Sequence, residues 1–120
     1  MSCYVKNFDS PDNTINMEKV TINVCNLCGN KAAKLTVQPG WRWSTCIKPI
    51  VKTESCQVRH MGCLVQGKLT VKMDNGEEYN IKKGDAYVIE PGHDAWVEGD
   101  EEVIGYEFES KAIENLENKN

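Results

Sequence analysis

From Glu18 onward, apolar and polar residues alternate in short runs, and each run stops at a turn signal. VTINV (20–24) alternates and is β-branched, which suits a half-buried strand. CNLCGN (25–30) reads as the next turn, with Gly29-Asn30 able to take positive φ. KLTV (34–37) alternates again, Pro39-Gly40 breaks it, and the aromatic segment WRWS (41–44) follows. Residues 56–66 form an apolar run that ends at Gly67. KLTVKM (68–73) then runs into Asp74-Asn75-Gly76, a two-residue hairpin signal, and EEYNIK (77–82) returns from it. Past Lys83-Gly84-Asp85, the strands AYVIE, DAWV and EVIGYEFE are separated by Pro91-Gly92 and Gly99-Asp100. Only the segment SKAIENLENK near the C-terminus has a helical, weakly amphipathic pattern. Residues 1–17 are polar, carry the turn cluster Ser10-Pro11-Asp12-Asn13, and read as an N-terminal arm lying on the barrel. The expected organisation is therefore an arm (1–17), one barrel domain (18–109) and a short tail (110–120). Short strands without crossover helices predict an all-β fold, a sandwich or a closed barrel.

Charge and composition narrow the partners. The net charge is −4 and the basic residues are scattered, so nothing compensates nucleic-acid phosphates on the scale of a domain. No apolar run approaches the ~20 residues of a membrane-spanning helix. The first residues, MSCYVKNFDSPDN, have no apolar signal core, and a cytoplasmic location is expected. In that reducing compartment the six cysteines are expected to stay thiols, most of them packing as small hydrophobes.

CQVRH (56–60) carries the most pointed chemistry. Cys56 and His60 lie four apart, so on a strand or a helix they share a face, with Val58 between them in the extended case. The residues alone leave three readings open: a metal site, a catalytic Cys/His pair, or two residues of a strand. Cys25-x-x-Cys28 suggests a zinc knuckle or a redox dithiol. No second ligand pair lies nearby, and the pair falls in a hairpin rather than at a helix N-terminus, so packing is the expectation. Cys63 is out of phase with Cys56 and His60 and should face away from them, whereas Cys46 follows WRWS in a stretch suited to a barrel mouth. Trp41, Trp43 and Trp96 read as core or interface residues, with a pocket wall as the alternative. Arg42 suits either an anionic ligand or a cation–π stack.

The string GKLTVKMDNGEEYNIKKGDAYVIEPG resembles the cupin superfamily, in which a hairpin follows a glycine and leads to "GD", a strand and a "PxG"-like break. Gly67 matches the glycine closing the first cupin motif, Gly84-Asp85 the start of the second, and Gly92 its second glycine. WRWS, SCQVRH and PGHDAWV-GDE together look like a small single-domain cupin subgroup. The resemblance covers residues 33–108 and implies a small jelly-roll barrel, often dimeric, with a metal or a small molecule inside. Familiar cupins hold the metal with His-x-His-x3-Glu and a histidine from the second motif. Counting back from Gly67, those first positions fall here on Glu54, Cys56 and His60. The strict second-motif histidine position falls on Ala95, and the nearest candidate is His93, two residues earlier.

The resemblance thus implies metal ligands Cys56, His60 and His93, with Glu54 as a fourth ligand or as the catalytic acid–base group. A thiolate with imidazoles favours zinc, iron or copper over magnesium or calcium, and no organic cofactor is evident. The expected function is metal-assisted binding of, or action on, a small polar molecule inside the barrel. An enzyme of this kind would be an oxygenase, isomerase or hydrolase, and the residues leave turnover itself open. The alternatives are a non-catalytic ligand- or soft-metal-binding module and a metal-free barrel with a filled interior. A homodimer is the expected assembly, with neither nucleic acid nor membrane as partner.

Overall fold

Period-two alternation is realised as burial. In β2 (Val20–Leu27) the residues Val20, Ile22 and Val24 are buried, and the polar residues between them are less so. The computed structural model of the chain describes residues 2–108. The other strands are β1 (Asn13–Met17), β3 (Asn30–Val37), β4 (His60–Gln66), β5 (Lys68–Met73), β6 (Glu78–Lys82), β7 (Ala86–Ile89), β8 (His93–Val97) and β9 (Val103–Phe108). They form two antiparallel sheets, ordered β1-β2-β3-β9-β4-β7 and β6-β5-β8. Residues of both sheets line one internal cavity, and the whole is a small β-barrel of the jelly-roll kind.

Several local expectations are revised. Asn13–Met17, within the expected arm, is the edge strand β1 of the larger sheet, paired with β2 from Asn13↔Val24 to Met17↔Val20. Its pattern, NTINM, is too polar to stand out, but Ile15 is only 1 % exposed. Burying that side chain contributes about 1.5–3 kcal/mol and seats the strand. In the segment before it, the Phe8 ring meets the Tyr106 ring of β9 at 5.2 Å between centroids. Two four-residue helices, which the pattern does not predict, follow the aromatic segment, α1 (Trp43–Cys46) and α2 (Lys48–Val51). Asp94 Oδ1 accepts the Ser44 N–H at 3.0 Å, which supplies α1 with the cap its own sequence lacks. The tail (110–120) lies outside the described residues.

The turns differ in detail. Between β2 and β3 the residues with positive φ are Cys28 (55°) and Gly29 (89°), so Cys28 rather than Asn30 takes the other left-handed position. The turn between β5 and β6, enclosed by the Met73–Glu77 backbone pair, holds three residues (74–76), not two. The Met73 N–H donates to the Glu77 carbonyl at 2.8 Å, and the Gly76 N–H donates to the Met73 carbonyl at 2.9 Å. Gly67 joins the two sheets at φ 82°, and a Cβ there would meet Val103 Cγ2 at 2.8 Å, so conformation and space both demand glycine.

Candidate metal centre

Cys56 is not in a strand. It precedes β4 and pairs with His93 through an isolated antiparallel bridge, the Cys56 N–H donating to the His93 carbonyl at 2.7 Å. The Cys56 carbonyl in turn accepts the His93 N–H at 3.2 Å, which closes the bridge, and the Gly92 N–H at 2.7 Å. This local pairing sets the Cys56 and His93 side chains next to each other. His60 opens β4 four residues later and reaches the same point from the larger sheet. The ligand atoms of Cys56, His60 and His93 lie within 4.8 Å of one another. Cys56 and His93 are buried at 5 % and 2 % exposure.

The outer partners fix how each imidazole is presented. His60 Nε2 lies 3.6 Å from Cys56 Sγ, and on the far side of the ring Nδ1 donates to Glu107 Oε1 at 3.0 Å. The other oxygen, Glu107 Oε2, accepts the Tyr87 hydroxyl at 2.7 Å. His93 Nδ1 donates to the Glu90 carbonyl at 2.8 Å, which leaves Nε2 to face Cys56. Both rings therefore use Nδ1 outward and keep Nε2 for the cluster.

Proton affinities follow from this arrangement. Burial works to raise the Cys56 thiol, but hydrogen bonds from His60 and His93 and their charge outweigh it and bring the pKa down to about 6. Burial works to lower His60, but the Glu107 carboxylate and the Cys56 sulfur raise its pKa to about 10. Burial and the Glu107 charge push the Tyr87 hydroxyl well above its ordinary range, so it stays a donor to Glu107. At neutral pH the cluster is a thiolate beside an imidazolium, backed by a carboxylate.

Glu54 is not part of this cluster. Its side chain is 99 % exposed and pairs with Lys48 at 3.3 Å, so it is neither a fourth ligand nor an acid–base group at the site. The cause is local: Glu54 and Ser55 lie in a bend, and the alternation that was to carry Glu54 inward does not extend there. The carboxylate beside His60 is Glu107, which the sequence reading missed. A signal existed, since Glu107 falls in phase with the inward residues Val103 and Gly105 of β9. Gly62, its register partner on β4, makes room for it: a Cβ there would meet Glu107 Cγ at 2.9 Å and run into the Tyr106 carbonyl.

The remaining candidates sort by position. Val58 lines the cavity between Cys56 and His60, and Arg59 points out and pairs with Glu90 at 3.3 Å. Gln57 does not turn wholly away: it touches the cavity rim and donates to Ser55 Oγ at 2.8 Å. Arg42 stacks over Trp96 at 4.1 Å and pairs with Asp94 at 3.4 Å, which selects the cation–π role. Trp41 and Trp43 wall the cavity, and the Trp41 indole N–H is buried without a hydrogen-bond partner. Cys46 is buried and Cys63 half-buried, neither on the cavity wall. Cys25 is buried under Asn7, whose carbonyl lies 3.7 Å from its Sγ, whereas Cys28 is exposed.

The interior is not filled. A cavity of about 360 Å³ opens beside the cluster, walled by residues such as Ile22, Leu35, Trp43, Leu69, Ile89 and Val103. That volume lies in the range of small-molecule sites. No helix among the described residues is long and apolar enough to cross a membrane.

No protein-family model matches the chain, and no curated protein matches its sequence. Solved structures do match its fold. Ectoine synthase from P. lautus is similar at a TM-score of 0.61 and 13% identity, over 88% of this chain and 77% of that one. A cupin-like protein from Thermotoga maritima is similar at a TM-score of 0.52 and 15% identity, over 82% and 73%. A sugar phosphate isomerase of the cupin superfamily from Silicibacter pomeroyi is similar at a TM-score of 0.56 and 15% identity, over 77% of this chain and 59% of that one. The chain has a small cupin fold.

Proposed function

We propose that this protein binds one transition-metal ion through Cys56 Sγ, His60 Nε2 and His93 Nε2, and that the ion anchors a small molecule in the adjoining cavity. One observation carries the reading. Both imidazoles give their Nδ1 proton to an oxygen acceptor, Glu107 in one case and the Glu90 carbonyl in the other, and so both direct Nε2 at the same thiolate. Such outer partners orient metal-ligating histidines and raise their basicity. A bound ion would neutralise the thiolate and displace the His60 Nε2 proton. The donor set is borderline-soft and suits zinc, iron or copper. Three protein ligands leave a position for a ligand atom, and an ion there would act as a Lewis acid.

Elemental analysis of protein purified without chelator tests this. The expected result is about one equivalent of a transition metal, lost in Cys56→Ala and in His93→Ala. Unchanged metal content in both variants would overturn the assignment.

A second reading rests on the metal-free geometry. The contacts Cys56 Sγ···His60 Nε2 at 3.6 Å and His60 Nδ1···Glu107 Oε1 at 3.0 Å order a thiolate nucleophile, an imidazolium acid and an orienting carboxylate. Alkylation of Cys56 by iodoacetamide separates the two: one equivalent of zinc blocks it on the metal reading and leaves its rate unchanged on the nucleophile reading.

A further inference from the structure

The metal ligands occupy one end of the cavity, and the rest of the wall speaks to what fills it. None of the described residues lining the cavity is a lysine or an arginine. The one carboxylate among those residues, Glu107, is already bonded by His60 and Tyr87. A phosphate, or a carboxylate away from the ligand cluster, would therefore lose its water without gaining a counter-charge. Beyond the cluster, Glu107 and Tyr87, the polar groups on the wall are few: Thr53 and Gln57, both exposed as residues, and the Trp41 indole N–H, a single buried donor. A polyol would leave most of its hydroxyls unpaired against Ile22, Leu35, Val37, Leu69 and Val103. The size is also bounded. A dry cavity of ~150 Å³ holds benzene, so by proportion about 360 Å³ holds roughly fourteen non-hydrogen atoms.

We infer that the molecule this cavity takes is mainly apolar along its body, about fourteen non-hydrogen atoms in size by that proportion, with one ligating group at the end that meets Cys56, His60 and His93. It replaces the small polar molecule expected from the sequence. The ligating end rests on the metal reading above, and the apolar body rests on the wall alone.

Two homologous series separate these parts. Normal alkanols and normal alkanoates of increasing length are titrated calorimetrically into protein loaded with one equivalent of zinc, and into metal-free Cys56→Ser protein. Ribose 5-phosphate serves as the polar comparison. Affinity is expected to rise about fourfold with each methylene and to level off once the cavity is full. Leu35→Trp, which narrows the wall on β3, is expected to bring that levelling to shorter chains. Alkanoates are expected to exceed alkanols of equal length on the zinc-loaded protein only, and ribose 5-phosphate is expected not to bind. No dependence on chain length, or tighter binding of ribose 5-phosphate than of the longest alkanoate, would overturn the apolar body. A chain-length slope without an alkanoate preference on the zinc-loaded protein would overturn the ligating end and uphold the apolar body.

Discussion

Two short segments of this chain carry metal-ligand spacing, Cys25-x-x-Cys28 and Cys56-x3-His60, and the fold treats them in opposite ways. In the first, Cys25 is on strand β2, buried under the N-terminal segment, and Cys28 stands exposed in the turn. In the second, an extended stretch keeps positions four apart on one face, and a backbone bridge from Cys56 to β8 adds His93. Local spacing decides little by itself. What separates the two is whether another strand delivers a further ligand and whether something holds each ligand from behind. Cys56 and His60 have both, from His93 and from Glu107. The hairpin cysteines have no cluster of ligating groups around them among the described residues.

The contrast can be broken most sharply by deleting each pair. Cys56→Ala is expected to abolish tight metal binding, and the double variant Cys25→Ala/Cys28→Ala to leave the stoichiometry unchanged, as read by elemental analysis. Next in size is the pH dependence. Above pH ~6 Cys56 is already a thiolate, and below ~10 His60 Nε2 holds a proton that the metal must displace. One proton is therefore released per ion in that window, and affinity should rise about tenfold per pH unit, steepen below ~6 and flatten above ~10. Competition with a chelator of known affinity measures it; a flat profile between those limits would break the assignment of His60 Nε2. Glu107→Gln keeps the shape but removes the charge behind His60 and should weaken binding about 10–100-fold, whereas Glu54→Gln should have no effect.

Smaller effects sharpen the structural half. Gly62→Ala forces a Cβ against the Tyr106 carbonyl and Glu107 Cγ, and should cost about 1–3 kcal/mol in chemical denaturation while weakening metal binding through Glu107. Cys28→Gly relieves a left-handed cysteine and should raise stability by up to about 1 kcal/mol, with metal content unchanged. A loss of metal in Cys28→Gly would return the hairpin cysteines to consideration.

Much of the architecture was legible because period two and Gly/Pro punctuation are local. The alternation in VTINV and KLTV marks β2 and β3, the DNG break marks the β5–β6 hairpin, and KGD marks the passage from β6 to β7 in the other sheet. Edge strand β1 was missed because NTINM buries a single large apolar residue, Ile15. The helices α1 and α2 were missed because four residues carry no helical period, and the cap for α1 comes from Asp94, fifty residues away. At the site, Cys56 and His60 were visible in the spacing, and His93 through the cupin resemblance. Glu54 was misassigned because counting positions assumes an unbroken extended chain, and the chain bends there. Glu107 lay hidden 47 residues from His60, although a carboxylate at an inward β9 position is itself a signal. The cavity's apolar character could not be read from any one segment, because its wall is assembled from inward residues of both sheets.

The most direct test of the central claim is a cobalt(II) titration of the metal-free protein, followed by the thiolate-to-metal charge-transfer absorption that a Co–S bond produces. The expected band saturates at one equivalent, is absent in Cys56→Ala, and persists in Cys25→Ala/Cys28→Ala. Absence of the band in the unmodified protein, or its survival in Cys56→Ala, would contradict that claim.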